Sequence, residues 1–248
     1  MYSKYKESAD LTRMIGGHEI WLGDVRLDDS LAELALFYGD KMRPDGSPNP
    51  KRLQFIVYRP DSHIIKPSIS SEKDRHLLRF SCERDGCYTV IANLAPLVFT
   101  QTKDGWHSGP KSQFKNVLRS HVISQMAKRI LPVGDGELEQ KEPPHGILEI
   151  VPMEIRAVNG GVADLRVFYE GRPLAGVEMS AVSEKMGSEM VHTETDDQGR
   201  AKIPLTTDGD WMFRAVHRDP AKKVQDEFDR ATFVSTLTIE VHRREADS

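Results

Sequence analysis

Short apolar runs separated by turn-forming residues recur along most of the chain. Leu31 to Tyr38, Leu53 to Tyr58, His76 to Cys82 and Cys87 to Asn93 are rich in β-branched and aromatic side chains. That composition suits a pleated, half-buried surface and predicts strands. Between them lie Pro44-Asp45-Gly46, Arg59-Pro60-Asp61 and Arg84-Asp85-Gly86, residues that accept the backbone angles of a tight reversal. The pattern predicts a β-sandwich over residues 18–132. From Ser112 to Leu131 the period changes: Phe114, Val117, Leu118, Val122, Met126 and Ile130 recur at helical spacing, with Lys115, Arg119, Lys128 and Arg129 around the turn. This predicts an amphipathic helix over 112–131, with Gly109-Pro110 before it and Pro132 after it.

Residues 133–146 are polar, hold glycine and proline, and have no usable period, so they read as a linker. Beyond them, Ile147 to Val151, Ala163 to Tyr169, Val177 to Val182, Val191 to Thr195, Ala201 to Leu205, Trp211 to His217 and Ala231 to Val241 predict a second sandwich over 147–244. Their number is that of an immunoglobulin-like or transthyretin-like domain. In the turn Asp196-Asp197-Gln198-Gly199-Arg200, aspartate and glycine supply left-handed angles. The two aspartates therefore read as turn chemistry and not as a hydrolase pair. Residues 1–17 read as a flexible N-terminal segment.

A chain of 248 residues has room for two such cores. Its 34 basic and 38 acidic residues leave a formal charge of −4, and the basic ones are scattered, so nucleic acid is not an expected partner. No apolar run approaches the roughly 18 residues of a membrane span. Lys4, Lys6, Glu7, Asp10 and Arg13 interrupt any apolar stretch an export signal would need. Cys82 and Cys87, the two cysteines, flank Glu83-Arg84-Asp85-Gly86. Two thiols alone do not make a structural zinc site, and both a disulfide and two free thiols fit the spacing. Nucleophile elbows, phosphate loops, dinucleotide fingerprints and His-Glu-x-x-His are all lacking, which points to a non-enzymatic protein.

Tyr169-Glu170-Gly171-Arg172-Pro173-Leu174, then Thr195 to Ala201, then Gly209 to His217 resemble the sandwich domains of the carboxypeptidase-regulatory and collagen-adhesin B type. Three further segments, His18-Glu19-Ile20-Trp21-Leu22, Leu148-Glu149-Ile150-Val151-Pro152 and the Trp211 to His217 strand, together resemble the NikM-like family of unknown function. Members of that family accompany nickel and cobalt uptake systems. The resemblance implies an accessory protein of periplasmic, extracytoplasmic type that binds nickel or cobalt and meets a membrane metal transporter. In that family an export segment ends just before the His-Glu stretch, whereas this sequence is polar there. The resemblance places His18 near a mature N-terminus, where a free amine and the imidazole could chelate together.

Nine histidines are present, none in a close metal-binding pair, so a metal site would be assembled from distant segments. His18, His217, His107 and Glu19 are the candidate ligands for a divalent ion, with His18 and His217 expected to face an interdomain cleft. His107 follows Asp104-Gly105-Trp106 in an expected loop, and His121 borders the apolar stripe, where a core histidine is the simpler reading. A generic sandwich module that recognises a peptide, a glycan or a protein partner is the alternative function.

Overall fold

The computed structural model describes residues 14, 17–28, 30–134, 145–187 and 190–244. The first half forms β1 (Glu19–Asp28), β2 (Leu31–Asp40), β3 (Arg43–Pro44), β4 (Leu53–Tyr58), β5 (Ile64–Ile65), β6 (Ser68–Ser71), β7 (His76–Ser81), β8 (Gly86–Thr102), β9 (Gly105–Ser108) and β10 (Val117–Val133). The second half forms β11 (Leu148–Pro152), β12 (Ala157–Val158), β13 (Val162–Tyr169), β14 (Arg172–Pro173), β15 (Glu178–Ser183), β16 (Val191–Glu194), β17 (Arg200–Pro204), β18 (Gly209–Asp219) and β19 (Arg230–His242). The architecture is nearly all β, as the patterning predicts, and two single 3-10 turns are the helical elements among the described residues.

The strands make three sheets. A ten-stranded sheet runs β16-β15-β18-β19-β10-β8-β4-β5, with β12 and β9 attached; a five-stranded one runs β1-β2-β7-β6 with β3; a four-stranded one runs β11-β13-β14 with β17. The large sheet crosses from the first half of the chain to the second where β10 and β19 pair in parallel, from His121↔Arg230 to Arg129↔Thr238. Side chains alternate between the two faces of a strand, so each of these strands serves two cores. On one face Ile123, Ala127 and Leu131 join Leu22, Leu34, Leu36 and Leu78 of the five-stranded sheet. On the other, Trp211, Phe213, Leu237 and Ile239 pack on Leu148, Ile150, Leu165 and Val167 of the four-stranded sheet.

The expected helix over 112–131 is instead strand β10, with a 3-10 turn at Lys111–Gln113 before it. Val122, Met126 and Ile130 are four residues apart, a spacing that places side chains on one side of a helix and equally on one face of a strand. Because β10 lies between β8 and β19 and is covered on both faces, its two-residue alternation is masked by burial on both sides. Its polar residues Ser120, His121, Gln125, Lys128 and Arg129 are themselves buried.

The two cysteines do not sit in a hairpin. Cys82 follows β7 in the five-stranded sheet, Cys87 lies on β8 in the ten-stranded one, and both are thiols. The expected linker 133–146 and N-terminal segment 1–17 lie mostly outside the described residues. No helix among the described residues is long and apolar enough to cross a membrane.

Candidate functional site

Strand β1 lies across the large sheet and is fastened to it by side chains that act in place of a neighbouring strand. Gln125 on β10 accepts from Ile20 N–H at 3.0 Å and donates to the His18 carbonyl at 2.8 Å. Thr236 on β19 donates to the Ile20 carbonyl at 2.7 Å. Trp21, the next residue, packs with Val182 and Met212 of the second half. These ties hold the start of β1 down, and beyond Gly23 its residues become mostly exposed. Its register with β2 shifts between Gly23 and Arg26, and Asp24 adopts φ +53°. Glycine inside a strand and a residue at positive φ mark a β-bulge, a device that re-aims side chains.

At this bulge a cleft of about 510 Å³ lies between the β1–β2 hairpin and the β18–β19 end of the large sheet. Phe37 stacks on Trp21 at 5.5 Å and 24° to make an apolar floor with Gly23 and Met42. A Cβ placed on Gly23 would stand 3.5 Å from Phe37 and 3.6 Å from the Asp210 carboxylate, so this glycine keeps the floor open. Four carboxylates line the cleft, Asp24, Glu184, Asp210 and Glu240, against the single guanidinium of Arg129. The charge of Arg129 is already paired: it donates to Asp210 at 2.5 and 2.8 Å and to the Leu22 carbonyl at 3.3 Å, its Nε alone having no partner. Arg75 pairs with Asp24 from outside at 2.9 Å. Glu184 follows β15, and its carboxyl is held above its ordinary range by burial and by the charges of Asp210 and Asp24. A carboxylate kept under repulsion in this way is stabilised by an arriving cation. The groove between edge strands β5 and β6 is larger, about 790 Å³, but Ile64, Ile65 and Ile69 dominate it and Lys66 is its one charged lining residue.

The four residues expected as metal ligands are dispersed. His18 packs on Tyr38 at 5.4 Å and reaches Asp45 at 3.4 Å through Nε2. Glu19 is buried; its Oε1 accepts from Lys41 N–H at 3.0 Å and its Oε2 lies 3.3 Å from Arg214 Nε. Burial pushes its carboxyl up to about 7, against the opposing charge of Arg214. His217 packs on Tyr169 of the four-stranded sheet at 4.4 Å. Arg214 and His217 are three apart on β18, so Glu19 and His217 approach opposite faces of the same strand. His107 is on β9, not in a loop, bonded to Thr102 at 3.0 Å and stacked on Phe114 at 4.9 Å. Among the described residues, no group of three or more histidine, cysteine, aspartate or glutamate side chains is placed to hold a metal ion.

The cleft residues gave a faint signal in the sequence. Gly23-Asp24 inside an otherwise apolar strand is a bulge signature, but Arg129 was masked by its apparent place on a helix.

Fold and cleft define an all-β, sandwich-built protein with an acidic, aromatic-floored groove between two packed sheets. The chain belongs to the family described as a domain of unknown function, DUF4198, whose sequence model matches residues 15–219. No curated protein matches the chain. Similar solved structures include the D0-D1 domain of intimin, at 12% identity and TM-score 0.24, covering 88% of this chain and 98% of that one. A two-domain fibronectin type III segment of chicken tenascin has 13% identity and TM-score 0.23, with 86% and 97% covered. A biofilm-associated protein BSP domain has 11% identity and TM-score 0.22, with 92% and 30% covered.

Proposed function

We propose that the chain is a non-enzymatic binding module whose site is the acidic cleft, and that it takes a cationic side chain, arginine or lysine, from a peptide segment of a partner. The observation that carries this reading is the charge balance around one apolar floor: of the four lining carboxylates, Asp210 is paired with Arg129 and Asp24 with Arg75, which leaves Glu184 and Glu240 without an ion pair among the described residues. An arginine or lysine brings an apolar stem for Phe37 and Met42 and a charge for Glu184 and Glu240. The rim carboxylates are solvent-exposed, so they mainly steer and select, while contact with the floor supplies affinity.

Nickel or cobalt binding by an uptake accessory protein is the second reading, supported by the resemblance of the His18 to Leu22 stretch. It ranks second because the Glu19 carboxylate is engaged by Lys41 and Arg214. Calorimetric titration separates the two. A hexa-arginine peptide should bind with one-site stoichiometry and hexaglutamate should not, and Glu184→Gln with Glu240→Gln should weaken the arginine peptide by roughly tenfold. Stoichiometric Ni(II) or Co(II) binding that is lost in His18→Ala, with no response to hexa-arginine, would reverse the ranking.

A further inference from the structure

The same face of the large sheet that ends in the acidic cleft carries a concentration of positive charge at its other end. His121 on β10 lies opposite Arg230 on β19, and Thr232, two residues further along β19, lies opposite Arg218 on β18. Arg119 is two residues before His121 on its own strand. Residues paired across strands, and residues two apart along one, share a face, so all four side chains project to the same side. Burial first, and then the charges of Arg230, Arg119 and Arg218, hold the imidazole of His121 down to about 4.

Two features separate this cluster from ordinary surface charge. The nearby carboxylate, Asp229, is turned away from it, accepting from Lys111 Nζ at 2.6 Å and from Ser120 N–H at 2.8 Å. Among the described residues Arg218 and Arg230 form no ion pair, while Arg119 bonds to the Gln101 side chain at 2.7 Å and lies over the Trp106 ring at 5.2 Å. Second, His121 is only 8% exposed, yet neither ring nitrogen has a hydrogen-bond partner. Phe99 and Trp106 cover the ring at 6.1 and 5.2 Å. A leucine in that position would fill the space without leaving two buried polar atoms unmet. Imidazole and unpaired guanidinium groups on one face are the donor set that recognises an oxyanion.

We propose that Arg218, Arg230 and His121, flanked by Arg119, form a binding site for an oxyanion of the phosphate type, distinct from the acidic cleft. The guanidinium groups supply the charge and the forked donors; His121 supplies a neutral N–H once the Trp106 side chain shifts from its ring.

The test is histidine-detected NMR on the full chain, titrated with inorganic phosphate and, separately, with O-phosphoserine. Saturable displacement of the His121 ring signals is expected, weakened at least roughly tenfold in Arg230→Gln and in Arg218→Gln, with the His63 ring unmoved. Tighter binding of O-phosphoserine would assign the anion to a phosphate carried on a larger molecule, and equal binding to the free ion; either supports the site. Absence of a saturable His121 response in the wild-type chain, or a response that survives both arginine substitutions, overturns it.

Discussion

Lys128 and Arg129 are adjacent in sequence, buried on opposite faces of β10, and each ends on a carboxylate from the second half of the chain. Lys128 Nζ meets Glu149 on β11 at 2.5 Å, and Arg129 meets Asp210 on β18 at 2.5 and 2.8 Å. One strand of the first half is thus fixed to both layers that the second half supplies. Glu149 is satisfied further by the backbone N–H groups of His145 and Gly146, the latter at 3.0 Å.

A buried pair of this kind is costly to break from one side, because the remaining charge is left without its counter-ion. Lys128→Met should lower the free energy of unfolding by about 3–5 kcal/mol, read from urea denaturation. The double change Lys128→Met with Glu149→Gln, which removes the charge and keeps an amide oxygen for the His145 and Gly146 N–H groups, should recover most of that loss. A double variant as unstable as the single one would show that the pair stabilises the fold beyond its own neutralisation.

The pairing of β10 with β19 bears on how separable the two halves are. Cleavage at a protease site engineered into residues 135–144 should leave two fragments that co-elute in size-exclusion chromatography without denaturant, since a shared sheet and both buried ion pairs still join them. Fragments that elute apart as folded monomers would mean that each half completes its own sandwich.

Glu19 gives the molecule a pH signature. Its carboxyl titrates at about 7 in the folded chain, raised by burial from the ordinary 4.5. The folded state therefore holds more protons than the unfolded state between those values. Its contribution is fully present below pH 4.5 and is lost as pH rises through 7. In Glu19→Gln this loss is absent, so the variant should gain on the wild type by up to roughly 3 kcal/mol between pH 4.5 and 7. Glu149 acts oppositely. Burial would raise its carboxyl, but the His145 and Lys128 contacts prevail and hold it at about 2, so its contribution is present above pH 4.5 and lost as pH falls toward 2. A stability difference between wild type and Glu19→Gln that does not change with pH would contradict the Glu19 assignment.

Local chemistry carried much of the fold. The Asp196 to Arg200 turn is as its residues dictate: Asp196 Oδ1 accepts from Gln198 N–H at 2.9 Å and Arg200 N–H at 2.8 Å, and Gly199 sits at φ +74°. Strands with one polar face were readable for the same reason. Long-range pairing was not. Nothing near His121 or Arg129 states that β19, about a hundred residues later, lies alongside, and a strand buried on both faces loses the alternation that would mark it. The cleft shares that limit, since Asp24, Arg129, Glu184 and Asp210 are brought together only by that pairing and by β1 lying across it. His18 and Glu19 lie three and two residues before the cleft's floor residue Trp21, Glu19 on the same strand, so the motif that drew attention to β1 lies next to the cleft.

Occupation of the cleft over Trp21 and Phe37 by a cation is reported most directly by the indole N–H resonance of Trp21. On titration with hexa-arginine, that resonance should move saturably while those of Trp106 and Trp211 stay in place. The movement should weaken in Glu184→Gln and vanish in Gly23→Leu, whose side chain would fill the floor. A Trp21 resonance that does not respond, or one that responds equally in Gly23→Leu, would contradict the account.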